Sequence, residues 1–130
     1  PNIFELAEAV GDKPSTDPEA VLASARKMLD MGAGTVCVSM SQEGAVFVSK
    51  SEDEALYVNT NPRIYDEGAV GTGDAMVGAI ANSMNKGLRF DEMARFAVAT
   101  ARASSRLAGT EMATLKKVYE VYETTQVYIL

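Results

Sequence analysis

Apolar positions near the start of the chain fall at helical spacing, and further along they condense into short runs. Ile3, Leu6 and Val10 lie on one side of a helical period, predicting a short helix that closes near Gly11-Asp12. Asn2 stands where its cap would be, and Glu5 stands where the reciprocal partner of a capping box would be. Lys13-Pro14-Ser15-Thr16-Asp17-Pro18 reads as a turn and helix entry, with Thr16 or Asp17 as cap and Pro18 in the first turn. That helix runs to about Met31 with Val21, Leu22, Ala25, Met28 and Leu29 facing inward, and Gly32 ends it. Residues 35–40 form a compact apolar run that suits a buried parallel strand. Residues 45–49 and 55–58, joined by a polar turn, read as a hairpin. Residues 59–63 read as loop and Ile64-Tyr65 as a short extended piece.

In the second half, Met76, Val77, Ile80, Ala81 and Met84 predict a helix over 74–86, with Gly87 as its C-terminal stop and Lys86 in the favoured last turn. Asp91 reads as the cap of the next helix, whose stripe of Met93, Phe96, Ala97, Thr100, Ala101 and Ser104 is mostly small and suits close packing. Ala108-Gly109-Thr110-Glu111 is a break, residues 114–122 a short helix and residues 126–130 a final edge strand. A helix leading into a buried strand is half of a βαβ unit, so the expected class is α/β.

The candidate chemistry centres on residues 68–78, Gly-Ala-Val-Gly-Thr-Gly-Asp-Ala-Met-Val-Gly. Gly71 and Gly73 can adopt backbone angles closed to other residues and let a ligand approach the main chain. The loop delivers free amides to the start of a helix, a natural seat for a phosphate. Asp74 stands where that anion would arrive, which suits a catalyst better than a simple anion binder. Its carboxylate could take the proton of an attacking hydroxyl while the amides stabilise the transferring group. An ordinary Asp cap after a glycine-rich turn has the same spacing and needs no ligand. The stretch lacks the Lys-Ser/Thr ending of a P-loop. A second polar strand end, Ser39-Met40-Ser41-Gln42-Glu43-Gly44, is either a tight turn or a ligand-binding strand terminus of an open α/β sheet.

Val70-Gly71-Thr72-Gly73-Asp74, continued by Ala75-Met76-Val77-Gly78, resembles the C-terminal signature of the PfkB, or ribokinase-like, family of carbohydrate kinases. Thr72 replaces the family's usual Ala or Ser and Ala69 a frequent Thr or Pro; neither change removes the amides or the carboxylate. The resemblance extends in order along nearly the whole chain, through Pro1-Asn2-x-x-Glu5, the 39–44 loop, the glycine loop and the small-residue helix. It implies the C-terminal part of a three-layer α/β/α fold with a mostly parallel sheet plus a hairpin. Residues 1–130 would then be the nucleotide-binding part of a kinase domain whose N-terminal half is absent. The start at Pro1, with no Met and straight into a helical pattern, agrees with that expectation.

Carried over by resemblance, Asp74 is the catalytic base and Gly71, Thr72 and Gly73 form the anion hole. Ser39, Ser41, Gly44, Gly71 and Gly73 meet the nucleotide, with Ala97, Thr100 and Ala101 as candidates for the wall of the adenine pocket. In the 39–44 loop Ser41 replaces the family's middle Gly, which puts close backbone approach there in question. Asn2 and Glu5 stand near Mg²⁺ through water. The implied cofactors are ATP and Mg²⁺, and the partner is a small-molecule sugar phosphate. The Val70-to-Val77 run is most similar to the 1-phosphofructokinase and tagatose-6-phosphate kinase branch, implying phosphorylation of fructose 1-phosphate to fructose 1,6-bisphosphate. Other ribokinase-like kinases, acting on tagatose 6-phosphate, ribose or a nucleoside, are the nearest alternatives. A non-catalytic nucleotide-binding or assembly module is the alternative from another class.

Composition narrows this little further. At 130 residues the chain is one domain at most, and its formal charge of −6 comes from mixed acidic and basic residues, which speaks against a nucleic-acid or anionic-membrane surface. There is no histidine, so His-based triads are excluded and zinc sites are not expected. Cys37 is the single cysteine, in an apolar run, and reads as core filling; a reducing cytoplasm is the expected home. The fragment alone is expected to be inactive and, with an exposed sheet edge, able to form a homo-oligomer.

Overall fold

Two side chains start the first helix. Asn2 Oδ1 accepts from the backbone N–H groups of Phe4 and Glu5, both at 2.9 Å, and Glu5 Oε1 accepts from the Asn2 N–H at 3.0 Å. This is the anticipated capping box, satisfying donors that the first helical turn leaves open. The structure, a computed structural model, describes residues 1–64, 72–105 and 114–130, with backbone only at 72 and 105. The elements are α1 (Ile3–Val10), α2 (Pro18–Asp30), β1 (Thr35–Ser39), a 3₁₀ turn (Ser41–Glu43), β2 (Ala45–Ser49), β3 (Leu56–Thr60), α3 (Thr72–Asn85), α4 (Phe90–Ser105), α5 (Leu115–Thr124) and β4 (Thr125–Ile129). The class is α/β, as expected. Among the described residues no helix is long and apolar enough to cross a membrane.

The strands form one four-stranded sheet in the order β1-β2-β3-β4. β1 pairs with β2 antiparallel, from Thr35 opposite Ser49 to Ser39 opposite Ala45. The parallel neighbour anticipated for residues 35–40 is reduced, among the described residues, to a single bridge between Asn2 and Ser39. Toward β2 the pairing is antiparallel because only residues 40–44 separate the two strands, far short of the dozen or so that a parallel crossover needs. β4 runs antiparallel to β3, since Leu130 N–H donates to Ala55 C=O at 2.9 Å and Asn61 N–H to Thr124 C=O at 2.8 Å. β3 also continues through Asn59 and Thr60, which the polar composition of residues 59–63 had suggested were loop. Both are buried, with Asn59 Oδ1 accepting from Thr60 N–H and Thr60 Oγ1 accepting from Ile64 N–H. Internal hydrogen bonds make that burial tolerable. Tyr65 lies outside the described residues.

The chain divides into two compact units, Pro1–Tyr57 with Tyr128–Leu130, and Val58–Val127. In the first, α1 and α2 pack on β1, and α2 also packs on β2. Leu6, Val21, Leu22, Ala25 and Leu29 from the helices meet Val36, Val38, Val46 and Val48 from the strands. In the second, α3 packs on α4 and α4 on α5. Ile64, Ala99, Ala103, Val118 and Val121 form a core there, flanked by Phe96 and Tyr122. The inward face of α3 overlaps its apolar periodicity only in part, at Met76 and the half-buried Ile80. Ala75, Met76, Ala79 and Ser83 are buried, whereas Val77 and Met84 are 67% and 69% exposed. Small side chains at four-residue intervals let one helix approach another closely, so size outweighed hydrophobicity in choosing that face. α3 also starts two residues earlier than expected, and α4 starts at Phe90, so Asp91 sits inside its first turn rather than capping it.

α1 is tied to α2 by Asp12, just past the left-handed Gly11 that ends α1. Its Oδ1 accepts from Lys27 Nζ and its Oδ2 from Ser24 Oγ, both at 2.6 Å. The hydrogen bond from Lys27 first, then that from Ser24, holds the carboxyl below its ordinary value of 3.8. A depressed native value adds stability above the unfolded pKa that disappears as pH falls through the native one. Asp12→Asn is therefore expected to lower the melting temperature at pH 7, with the difference shrinking as the pH falls below the ordinary value of 3.8. A constant difference across that range in a thermal-melt series would refute the assignment.

Candidate active site

In the first unit the two motifs nearest the chain start and the first strand end come together. Ser39, the last residue of β1, bridges to Asn2 and donates its N–H to Pro1 C=O at 3.0 Å. The Asn2–Glu5 box thus sits beside the point where the 39–44 loop leaves the sheet. Asn2 and Glu5 are both exposed and both serve as helix caps, so the structural role is present whatever else they do. Among the described residues no group of three acidic, histidine or cysteine side chains could hold a metal ion by itself.

The loop is a tight closed turn. Met40 N–H donates to Gly44 C=O at 2.8 Å, Glu43 N–H to Met40 C=O at 3.0 Å and Gly44 N–H to Ser41 C=O at 3.1 Å. Ser41 has φ +54° and Gly44 has φ +91° with ψ −141°. The position where a serine replaces glycine is therefore held in the left-handed region that glycine adopts freely and other residues at a cost. Ser41 is exposed, Ser39 half-buried and Gly44 buried. Tyr57, from β3, donates its hydroxyl to Glu43 C=O at 2.6 Å. Nothing in the sequence around Tyr57 marked it as part of this loop, because the contact depends on strand pairing. Cys37, two residues before the end of β1, is a half-buried thiol pushed up to about 11 by desolvation.

In the second unit, Gly73 and Asp74 lie in the first turn of α3, both exposed. Gly71 lies outside the described residues, as does the side chain of Thr72. Gly73 does not use a left-handed backbone; a Cβ added there would meet nothing within 4 Å. Asp74 follows on the same turn with its carboxylate exposed. On α4, Ala97 and Ala101 are fully buried at 0% and 1% exposure, so their small size serves packing rather than contact with a ligand. Thr100 is half-buried and donates its hydroxyl to Phe96 C=O at 2.8 Å, which leaves it, of the three wall candidates, as the one with surface to offer. The break at 108–111 lies outside the described residues.

Residues 1–116 match the family model for pfkB family carbohydrate kinases. The ATP-dependent 6-phosphofructokinase isozyme 2 of Escherichia coli is 30% identical over 123 residues, covering 94% of this chain and 38% of that protein. The 1-phosphofructokinase of Rhodobacter capsulatus is 36% identical over 99 residues, covering 76% of this chain and 30% of its own length. The chain therefore spans well under half of these relatives. Among solved structures, phosphofructokinase-2 from Escherichia coli in complex with substrates and products superposes with a TM-score of 0.83 at 30% identity, covering 95% of this chain and 39% of that one. Arabidopsis thaliana ribokinase complexed with ribose and ATP shares the fold at a TM-score of 0.77 and 24% identity, over 95% of this chain and 39% of its own.

The left-handed Ser41 yields a direct expectation. Ser41→Val should destabilise the chain by about 1–2 kcal/mol, because a β-branched residue tolerates that backbone worst, while Ser41→Gly stays within about 1 kcal/mol of the parent. Urea unfolding checks both, and a Gly variant less stable than the Val variant would contradict the backbone assignment.

Proposed function

Because this chain belongs to the pfkB family of carbohydrate kinases, we propose that it supplies the ATP site and catalytic base for phosphoryl transfer to a sugar-phosphate hydroxyl. The substrate we favour is fructose 1-phosphate, giving fructose 1,6-bisphosphate. The observation that carries the reading is the first turn of α3, where exposed Asp74 adjoins an unobstructed Gly73 at a helix N-terminus. In this mechanism Asp74 accepts the proton of the sugar 6-hydroxyl. The resulting oxygen bonds to the γ-phosphorus as the bond to the β-γ bridging oxygen breaks, and ADP leaves with that electron pair. The Gly71 and Gly73 amides, with Thr72 between them, meet the charge of the transferring group, where the helix dipole favours an anion. By the family resemblance Ser39, Ser41 and Gly44 of the first unit are also nucleotide contacts, as is Thr100 of the second. Mg²⁺, when bound, neutralises phosphate charge; Asn2 and Glu5, already committed to each other's backbone, fit contacts made through its water shell better than direct ligation.

Fructose 6-phosphate is the second reading, since the relatives whose match covers 94% of this chain are 6-phosphofructokinases. The acceptor would then be the 1-hydroxyl, with the roles above unchanged. Turnover of the full-length protein on the two fructose phosphates separates these readings. Asp74→Asn is expected to cut turnover by about a hundredfold or more while leaving ATP affinity within about twofold. Parent-like turnover in that variant ends the base assignment. Saturable ATP binding without turnover on any sugar phosphate would favour a regulatory or assembly module.

A further inference from the structure

The 39–44 loop is a strained turn anchored from outside itself. It contains a non-glycine residue at φ +54° and a glycine at φ +91°, and such conformations persist where the surroundings over-determine them. The peptide joining Glu43 to Gly44 is held at both ends: its N–H donates to Ser41 C=O at 3.1 Å and its C=O accepts from the Tyr57 hydroxyl at 2.6 Å. Its orientation decides which way the amide of the loop's last glycine points. Tyr57 is fixed in turn. The hydrogen bond from Leu130 N–H to Ala55 C=O sets a register that places Tyr57 opposite Tyr128, and the two rings stack with centroids 5.8 Å apart at 25°. Stacking of this kind orients a phenol at small entropic cost. The contacts run from the last strand of the chain through two rings to a loop carbonyl.

We infer that Tyr57, braced by Tyr128, is a positioning residue for the nucleotide loop and sets its affinity for ATP without touching the reacting atoms. The inference rests on the kinase reading above and adds a residue that neither of its motifs contains. Tyr57→Phe keeps the ring and its stack but loses the hydroxyl. In the full-length protein it should raise the KM and Kd for MgATP about three- to tenfold, the cost of one well-formed hydrogen bond. Turnover number and sugar-phosphate KM should stay within about twofold. Tyr128→Leu should move ATP affinity the same way by less, and Tyr128→Phe should restore it. Hydrogen exchange at the Glu43 and Gly44 amides should quicken in Tyr57→Phe with the unfolding midpoint nearly unchanged.

An unchanged ATP Kd in Tyr57→Phe, with ATP bound normally by the parent, would overturn this inference alone. An equal loss of affinity for both substrates, tracking a fall in melting temperature, would also overturn it by showing a merely structural role. A parent protein that binds no ATP would overturn the kinase reading and this inference together.

Discussion

Residues 40–44 have to reverse the chain between two strands that are already buried, and much of the first unit follows from that constraint. A connection so short permits only antiparallel pairing, which fixes the β1–β2 register from Thr35–Ser49 to Ser39–Ala45. With that register Val36, Val38, Val46 and Val48 share the core with Leu22, Ala25 and Leu29 of α2. The same reversal forces left-handed backbone at Ser41 and Gly44, so the loop that turns the chain is also the one whose amides and carbonyls are unusually oriented. Sheet geometry and a candidate ligand loop have a common origin here.

The second unit is built around close helix packing. α4 is buried nearly all round by alanines, which lets α3 and α5 pack against it closely. α3 turns its small residues to that contact and leaves its first turn exposed, with Gly73 adding no side chain and Asp74 adding a carboxylate. The alanines at 97 and 101 are buried in that packing.

Local rules were legible wherever a few neighbouring residues decide the outcome. The Asn2–Glu5 box, the Asp17 cap, the left-handed stops at Gly11 and Gly87, and the inward stripe of α2 all rest on contacts within about four residues. The ordered motifs that resemble the carbohydrate kinases were legible for the same reason, being short and contiguous, and the family match over residues 1–116 agrees. Less legible was anything that needed a partner. The apolar run at 35–40 suits a parallel sheet because both of its faces could be buried, and it carries a parallel bridge to Asn2, while the short following connection makes its β2 neighbour antiparallel. Asn59 and Thr60 looked like loop because they are polar, and became strand because Ile64 N–H and the side chains themselves satisfied them.

The sequence by itself determined most of the helices, the caps at Asn2 and Asp17, the core of each strand-forming run and the 39–44 turn, since backbone preference and side-chain periodicity act over short distances. Tertiary structure decided which face of α3 turned inward, which wall candidates kept any surface, and that Tyr57 would reach the carbonyl of Glu43 while stacked on Tyr128. The physical reason is that a periodic pattern states only that a face will be covered. What covers it, and how closely, depends on the size and register of residues brought from elsewhere in the chain.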